Sequence, residues 1–151
     1  MRYFLDCEYN GTGGDLISLA LVPEDGGEEF YAVVTCKQPL NEWVLRNVRP
    51  YLDHVPIGLQ HPPQDSRQVA DLLSAWLSGF SEVEIVADWP EDIALFCRLL
   101  MTDPGDMVAV PALTFRLWKL PGFSTARNSV VPHNALHDAR SLRDHVVRHL
   151  E

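Results

Sequence analysis

The sequence predicts one α/β domain with a mixed β-sheet covered by helices. Three observations carry this expectation. Runs rich in β-branched and aromatic residues come first, separated by turn clusters. Amphipathic helical patterns follow, and a short apolar strand stands between two of them. Hairpins first and alternation afterwards imply an antiparallel three-strand meander extended by parallel strands and flanked by helices.

The elements read in order as follows. "RYFLDCEY" and "DLISLALV" are strands separated by the turn cluster "NGTGG", and "EEFYAVVT" follows "PEDGG" as a third. "NEWVLRNVRPYL" is a helix with Asn41 as N-cap, Pro50 near its end, and Trp43, Val44, Val48 and Leu52 as its apolar face. "HVPIGLQHPPQD" reads as a surface loop. "DSRQVADLLSAWLSGF" is a helix with Val69, Leu72, Leu73, Trp76 and Leu77 on one stripe and Gly79 placed to stop it. "VEIVAD" is a buried strand running into the helix "WPEDIALFCRLLM", and "MVAV" suggests one more short strand. "HNALHDARSLRDHVVRHL" is a final amphipathic helix whose inner face is Leu136, Leu142, Val146 and Leu150.

A chain of 151 residues, 46% of them apolar, suits a single domain spanning 1–151 with room for a sizeable core. The first residues are too polar for a signal peptide and no apolar run is long enough to span a bilayer, so a cytoplasmic protein with no membrane partner is expected. Cys7, Cys36 and Cys97 are odd in number and widely spaced, which fits reduced thiols. The net charge of −9 excludes a protein that grips nucleic acid through a broad basic surface, but not one that holds a strand end through metal ions. The first 35 residues carry seven acids against Arg2 alone, so an anionic partner should approach from the side built by later segments.

The acids fall into three clusters. Side chains alternate along a strand, so Asp6 and Glu8 share one face and Cys7 takes the other. Carboxylates roughly 7 Å apart at their backbones repel unless a cation lies between or beside them. In "ADWPEDIALF", Asp88 ends a strand and Asp92 lies in the first turn of the next helix; in isolation, ordinary helix capping is the better account of these acids. In "VPHNALHDARSLRD", Pro132 and Asn134 fix a helix start, with His133 at the hinge and Asp138 on the rigid element behind it.

Together, "FLDCEY", "ADWPEDIALF" and "HNALHDA" resemble, in order and context, the three motifs of the DEDDh family of 3′-to-5′ exonucleases, and the resemblance spans nearly the whole chain. "HNALHDA" is the most specific of the three. The resemblance implies a ribonuclease H-like fold, with Asp6 and Glu8 as the first two acids, His133 as the general base and Asp138 as the last acid. The middle acid is Asp92, with Asp88 as the alternative; family members commonly carry Asn where Asp88 stands. It further implies attack on the last phosphodiester, release of a nucleoside 5′-monophosphate, and a grip on the terminal 3′-hydroxyl by Glu8.

Phosphodiester hydrolysis requires a nucleophile at neutral pH, neutralised charge in the transition state and a stabilised leaving oxygen. Two divalent ions roughly 3.5–4 Å apart supply all three, and hard oxygen ligands suit Mg²⁺ or Mn²⁺. On the family pattern Asp6 would bridge them, Glu8 and Asp138 would complete one site, and Asp92 the other. His133, with an ordinary pKa near 6.5, suits proton abstraction. Tyr9 and Trp89 are candidates for stacking on terminal bases, although core packing is the commoner fate of aromatics. Arg127, Arg140 and Lys119 are candidates for phosphate contacts. His133 and His137 are spaced to share a zinc ion, but Asn134 stands where a zincin carries its Glu.

The expected function is a metal-dependent 3′-to-5′ exoribonuclease, since a compact chain without an attached polymerase is similar to the family's stand-alone bacterial or phage exoribonucleases. A single-stranded DNA 3′-to-5′ exonuclease and an inactive module that binds nucleic-acid ends are the alternatives. A homodimer is one way for so small a domain to lengthen its grip.

Overall fold

The computed structural model describes residues 1–149. Three strands open the chain: β1 (Arg2–Tyr9), β2 (Leu16–Pro23) and β3 (Phe30–Val33). Helix α1 (Glu42–Asn47), two short 3₁₀ turns (Arg49–Tyr51 and Ile57–Leu59) and α2 (Ser66–Leu77) follow. Strand β4 (Glu82–Ala87) leads into α3 (Pro90–Leu100), a small hairpin of β5 (Met101–Asp103) and β6 (Asp106–Met107), and β7 (Ala112–Leu117). Helices α4 (Thr125–Asn128) and α5 (Ala135–His149) complete the order.

The main sheet has the order β3-β2-β1-β4-β7. β1 pairs antiparallel with β2 and parallel with β4, β2 pairs antiparallel with β3, and β4 pairs parallel with β7. This is the expected meander plus parallel strands, with β1 at the centre. Burial of six of the eight β1 residues, Asp6 and Glu8 included, follows from that central position.

Alternation along β1 sorts its side chains into two layers. Tyr3, Leu5 and Cys7 join a core with Val69, Leu73 and Leu77 of α2 and Leu95, Phe96 and Leu99 of α3. Phe4 faces the other way and packs with Val86, Leu142 and Val146. Beside it, Ala20 and Val22 of β2 pack against Ala135, Leu136 and Ala139 of α5. Asp6 is therefore directed to the α5 side, as is Glu8. Their cross-strand partners, Ala20 and Ser18, are small, as are the alanines of α5, so the helix approaches the acids closely.

Local signals set most boundaries. Asn41 caps α1 by accepting the Val44 N–H, and Asp65 with Gln68 forms a capping box on α2. α1 stops at Asn47, short of Pro50, and the chain tightens into 3₁₀ geometry there. Trp43 and Leu72, expected on buried stripes, are 50% and 46% exposed. Each lies one position from a better-placed neighbour, Val44 or Leu73, that takes the core. "MVAV" adds no strand to the main sheet: its Met107 ends the β5–β6 hairpin and its Val108 is buried beyond it. One edge strand of that sheet, β7, half-buries only alternate residues and so reads weakly in sequence. Leu150, expected on the inner face of the last helix, lies outside the described residues.

Leu142→Ala, which empties a fully buried position between α5 and Phe4, is expected to destabilise the fold by about 2–5 kcal/mol. Leu72→Ala should cost no more than about 0.5 kcal/mol. Urea unfolding of both variants checks the assignment of faces.

Candidate active site

Four elements deliver acids to one end of the sheet. β1 contributes Asp6 and Glu8, Asp88 immediately follows β4, α3 begins with Asp92 in its first turn, and α5 carries Asp138. All five are buried, with Asp92 and Asp138 each only 3% exposed. They form two groups. Ligand-type atoms of Asp6, Asp88 and Asp92 lie within 4.8 Å of one another, and so do those of Glu8, His133 and Asp138. Asp88 and Asp92 thus both stand beside Asp6. A cleft of about 400 Å³ opens over both groups.

The start of α5 places the third cluster. Asn134 is fully buried; its Oδ1 accepts the N–H groups of Leu136 and His137, and its Nδ2 donates to the Tyr51 carbonyl at 2.8 Å. His133 precedes it with φ +62°, the one non-glycine residue in the left-handed region among those described. That conformation costs on the order of 1 kcal/mol and is held by a hydrogen bond from the His133 N–H to Asp138 Oδ2 at 3.2 Å.

Crowding and burial penalise negative charge here. Desolvation, then the Asp92 and Asp138 charges, push the Asp6 carboxyl far above its usual range. Glu8 rises to about 8 through burial and Asp138, and Asp92 to about 8 through burial and Asp88. Asp138 reaches about 6, burial outweighing relief from Ser129 and the His133 backbone. Burial also raises Asp88, against the pull of Lys119. His133 moves down, because burial disfavours the imidazolium.

Asp6 Oδ2 and Asp138 Oδ1 are buried without a hydrogen-bond partner. A buried carboxylate oxygen without a donor is costly, and a hard cation is the partner that satisfies several at once. The oxygen-rich donor set suits Mg²⁺ or Mn²⁺, and the two groups fit such ions.

The remaining candidates separate. Trp89 lines the cleft, 46% exposed, with Lys119 Nζ 5.3 Å from its ring centroid. Tyr9 also lines it but is half-buried against the core, with its hydroxyl engaged by Trp89 and Glu91. Arg140 is not free for phosphate, since its guanidinium forks onto Glu29 at 2.8 and 2.6 Å. Arg127, on α4, is absent from the cleft lining. His137 turns to the His54 carbonyl at 2.8 Å, so the histidine pair does not close on a zinc ion. Cys7 faces the core, and burial raises its thiol. Sequence reading passed over Trp43, Thr12 and the Ser124–Ala126 segment, which also line the cleft. Trp43 was masked by its place beside a buried stripe, and the others carry no charge pattern. A separate groove of about 310 Å³ between α2 and α3 holds none of the five acids.

No protein-family model matches the sequence, and no curated protein matches it. Among solved structures, a chain described as Exonuclease X in complex with 5′ overhanging duplex DNA matches with a TM-score of 0.53 and 17% identity, over 100% of this chain and 94% of its own. At that identity the likeness is one of fold. The mixed five-stranded sheet with flanking helices is the ribonuclease H-like α/β arrangement that the motifs led us to expect.

Proposed function

We propose that residues 1–151 form a single exonuclease domain, a divalent-cation-dependent phosphodiester hydrolase that removes nucleoside 5′-monophosphates from 3′ ends. The observation that carries this reading is the pair of ligand groups, Asp6–Asp88–Asp92 and Glu8–His133–Asp138, meeting in one cleft with two buried carboxylate oxygens left without donors. RNA is the first substrate to test, on the analogy with stand-alone exoribonucleases. DNA with a 3′ end is the second, favoured by the likeness to a chain solved on duplex DNA.

The residues divide the work by position. Asp6, Asp88 and Asp92 hold one side of the cation site, and Glu8 with Asp138 the other. Bound Mg²⁺ or Mn²⁺ supplies the charge that offsets these carboxylates, draws in the phosphate and acidifies the attacking water. His133, its pKa lowered by burial, is largely neutral at pH 7 and free to accept that water's proton on the imidazole. Asp138 keeps the His133 backbone in its left-handed turn, so one acid serves both the cation and the base. Glu8 is assigned the terminal 3′-hydroxyl on the family resemblance, and the exposed Trp89 offers a more accessible stacking face than the half-buried Tyr9.

Incubation with 5′-labelled RNA and DNA oligonucleotides in Mn²⁺, Mg²⁺ or EDTA should yield stepwise shortening from the 3′ end and none in EDTA. Activity that survives EDTA, or cleavage of a circular substrate, contradicts the reading. Asp6→Asn and His133→Ala should each slow turnover about 100-fold or more. Metal-independent binding of 3′ ends without mononucleotide release would identify an inactive end-binding module instead.

The raised carboxyl values set a pH dependence for the cation-free protein. Glu8 and Asp92 at about 8 and Asp138 at about 6 bind protons more tightly folded than unfolded. Their stabilisation is full below the unfolded values near 4 and is lost as pH rises through the folded ones. In EDTA, the melting temperature should therefore fall between pH 5 and pH 8.5, and Mn²⁺ should restore it most at the upper end. A melting temperature indifferent to Mn²⁺ at pH 8.5 rules against a cation site here.

A further inference from the structure

Trp43 stands out as a large apolar side chain that is half exposed although its helix has a buried face. Val44 and Val48 of that helix pack on Ile17, so α1 has its core contact without the indole. The indole instead meets the imidazole of His133, ring centroids 4.8 Å apart and planes at 78°. Both rings line the cleft.

His133 needs such a support. Its backbone is tied to Asp138, but among the described residues no hydrogen bond or ion pair holds its ring. A base working on a proton is usually oriented by a third group, commonly a carboxylate on the far nitrogen. Here the edge-to-face contact with Trp43 takes that place.

The helix that carries the indole is in turn well anchored. The Asn41 side chain caps α1, and the Asn41 N–H donates to Asn10 Oδ1 at 2.9 Å. Asn10 Nδ2 donates to the Pro39 carbonyl at 3.0 Å, which bolts the segment entering α1 to the β1–β2 turn. Gly11 allows that approach, since a Cβ there would lie 2.9 Å from Asn41 Nδ2 and its φ is +76°. The turn that leaves the acids of β1 is thus connected through α1 to the ring of His133.

We infer that Trp43 is a positioning residue for the general base: the indole, fixed by α1 and the Asn10–Asn41 contact, holds the His133 imidazole over the cleft. This rests on the reading of His133 as the base. Trp43→Ala should lower the single-turnover cleavage rate in Mn²⁺ about tenfold while moving the oligonucleotide Kd in Ca²⁺ by less than about threefold, because misorientation acts on the chemical step. Trp43→Phe should keep most of the rate. Placed in a His133→Ala background, Trp43→Ala should cost nothing further. An equal loss in both backgrounds, or a loss confined to Kd, overturns the positioning role. If His133→Ala turns over normally, the base assignment falls and this inference with it, which separates the two failures. A readout independent of turnover is the NMR position of the His133 ring protons: Trp43→Ala should move them and Trp89→Ala should not. Ring signals unmoved by Trp43→Ala overturn the contact.

Discussion

Five acids buried at one end of a sheet share one constraint: desolvation and the neighbouring charges oppose ionisation of each, most of all at Asp6, Glu8 and Asp92. Lys119 acts on Asp88, and the His133 N–H reaches Asp138, but Asp6 at the centre has no such help. A fold with this feature must hold the acids together by strength elsewhere. It does so with apolar packing on both faces of β1: Leu5 and Cys7 against α2 and α3, and Phe4 against α5. The side chains that create the local instability and those that oppose it alternate along one strand.

The same logic places His133. α5 approaches β1 closely because Ala20, Ala135 and Ala139 are small, and its first turn brings Asp138 to Glu8. Asn134 caps that turn and anchors it to the Tyr51 carbonyl, which forces His133 into the left-handed region just outside the helix. The helix start, Asp138 and His133 are consequences of one local arrangement. Two carboxyl groups pushed up to about 8, largely by burial, thus stand beside an imidazole whose own value burial lowers.

Much of this was legible in the sequence, and the physical reason is periodicity. Strands β1, β2 and β4 alternate or run apolar strongly enough to be read, and Asn41 and Asn134 mark helix starts by their chemistry. The grouping of Asp88 with Asp92 around Asp6 was not legible, because it depends on how β4 meets β1 in register. β7 escaped because an edge strand half-buries only alternate residues, and "MVAV" misled because an apolar run can end a hairpin. Trp43 was misassigned because helical spacing does not distinguish the last residue of a buried stripe from the first of a cleft wall. Arg140 seemed free for phosphate because its partner Glu29 is 111 residues away.

The account turns on the claim that the buried carboxyl groups exist to bind cations. Calorimetric titration of the metal-free protein with Mn²⁺ at pH 7, repeated in buffers of different ionisation enthalpy, measures the binding and the protons released with it. Glu8 and Asp92, with values near 8, hold protons at that pH and must shed them to ligate, so binding with net proton release is the predicted result. Absence of binding, or binding without proton release, contradicts the account.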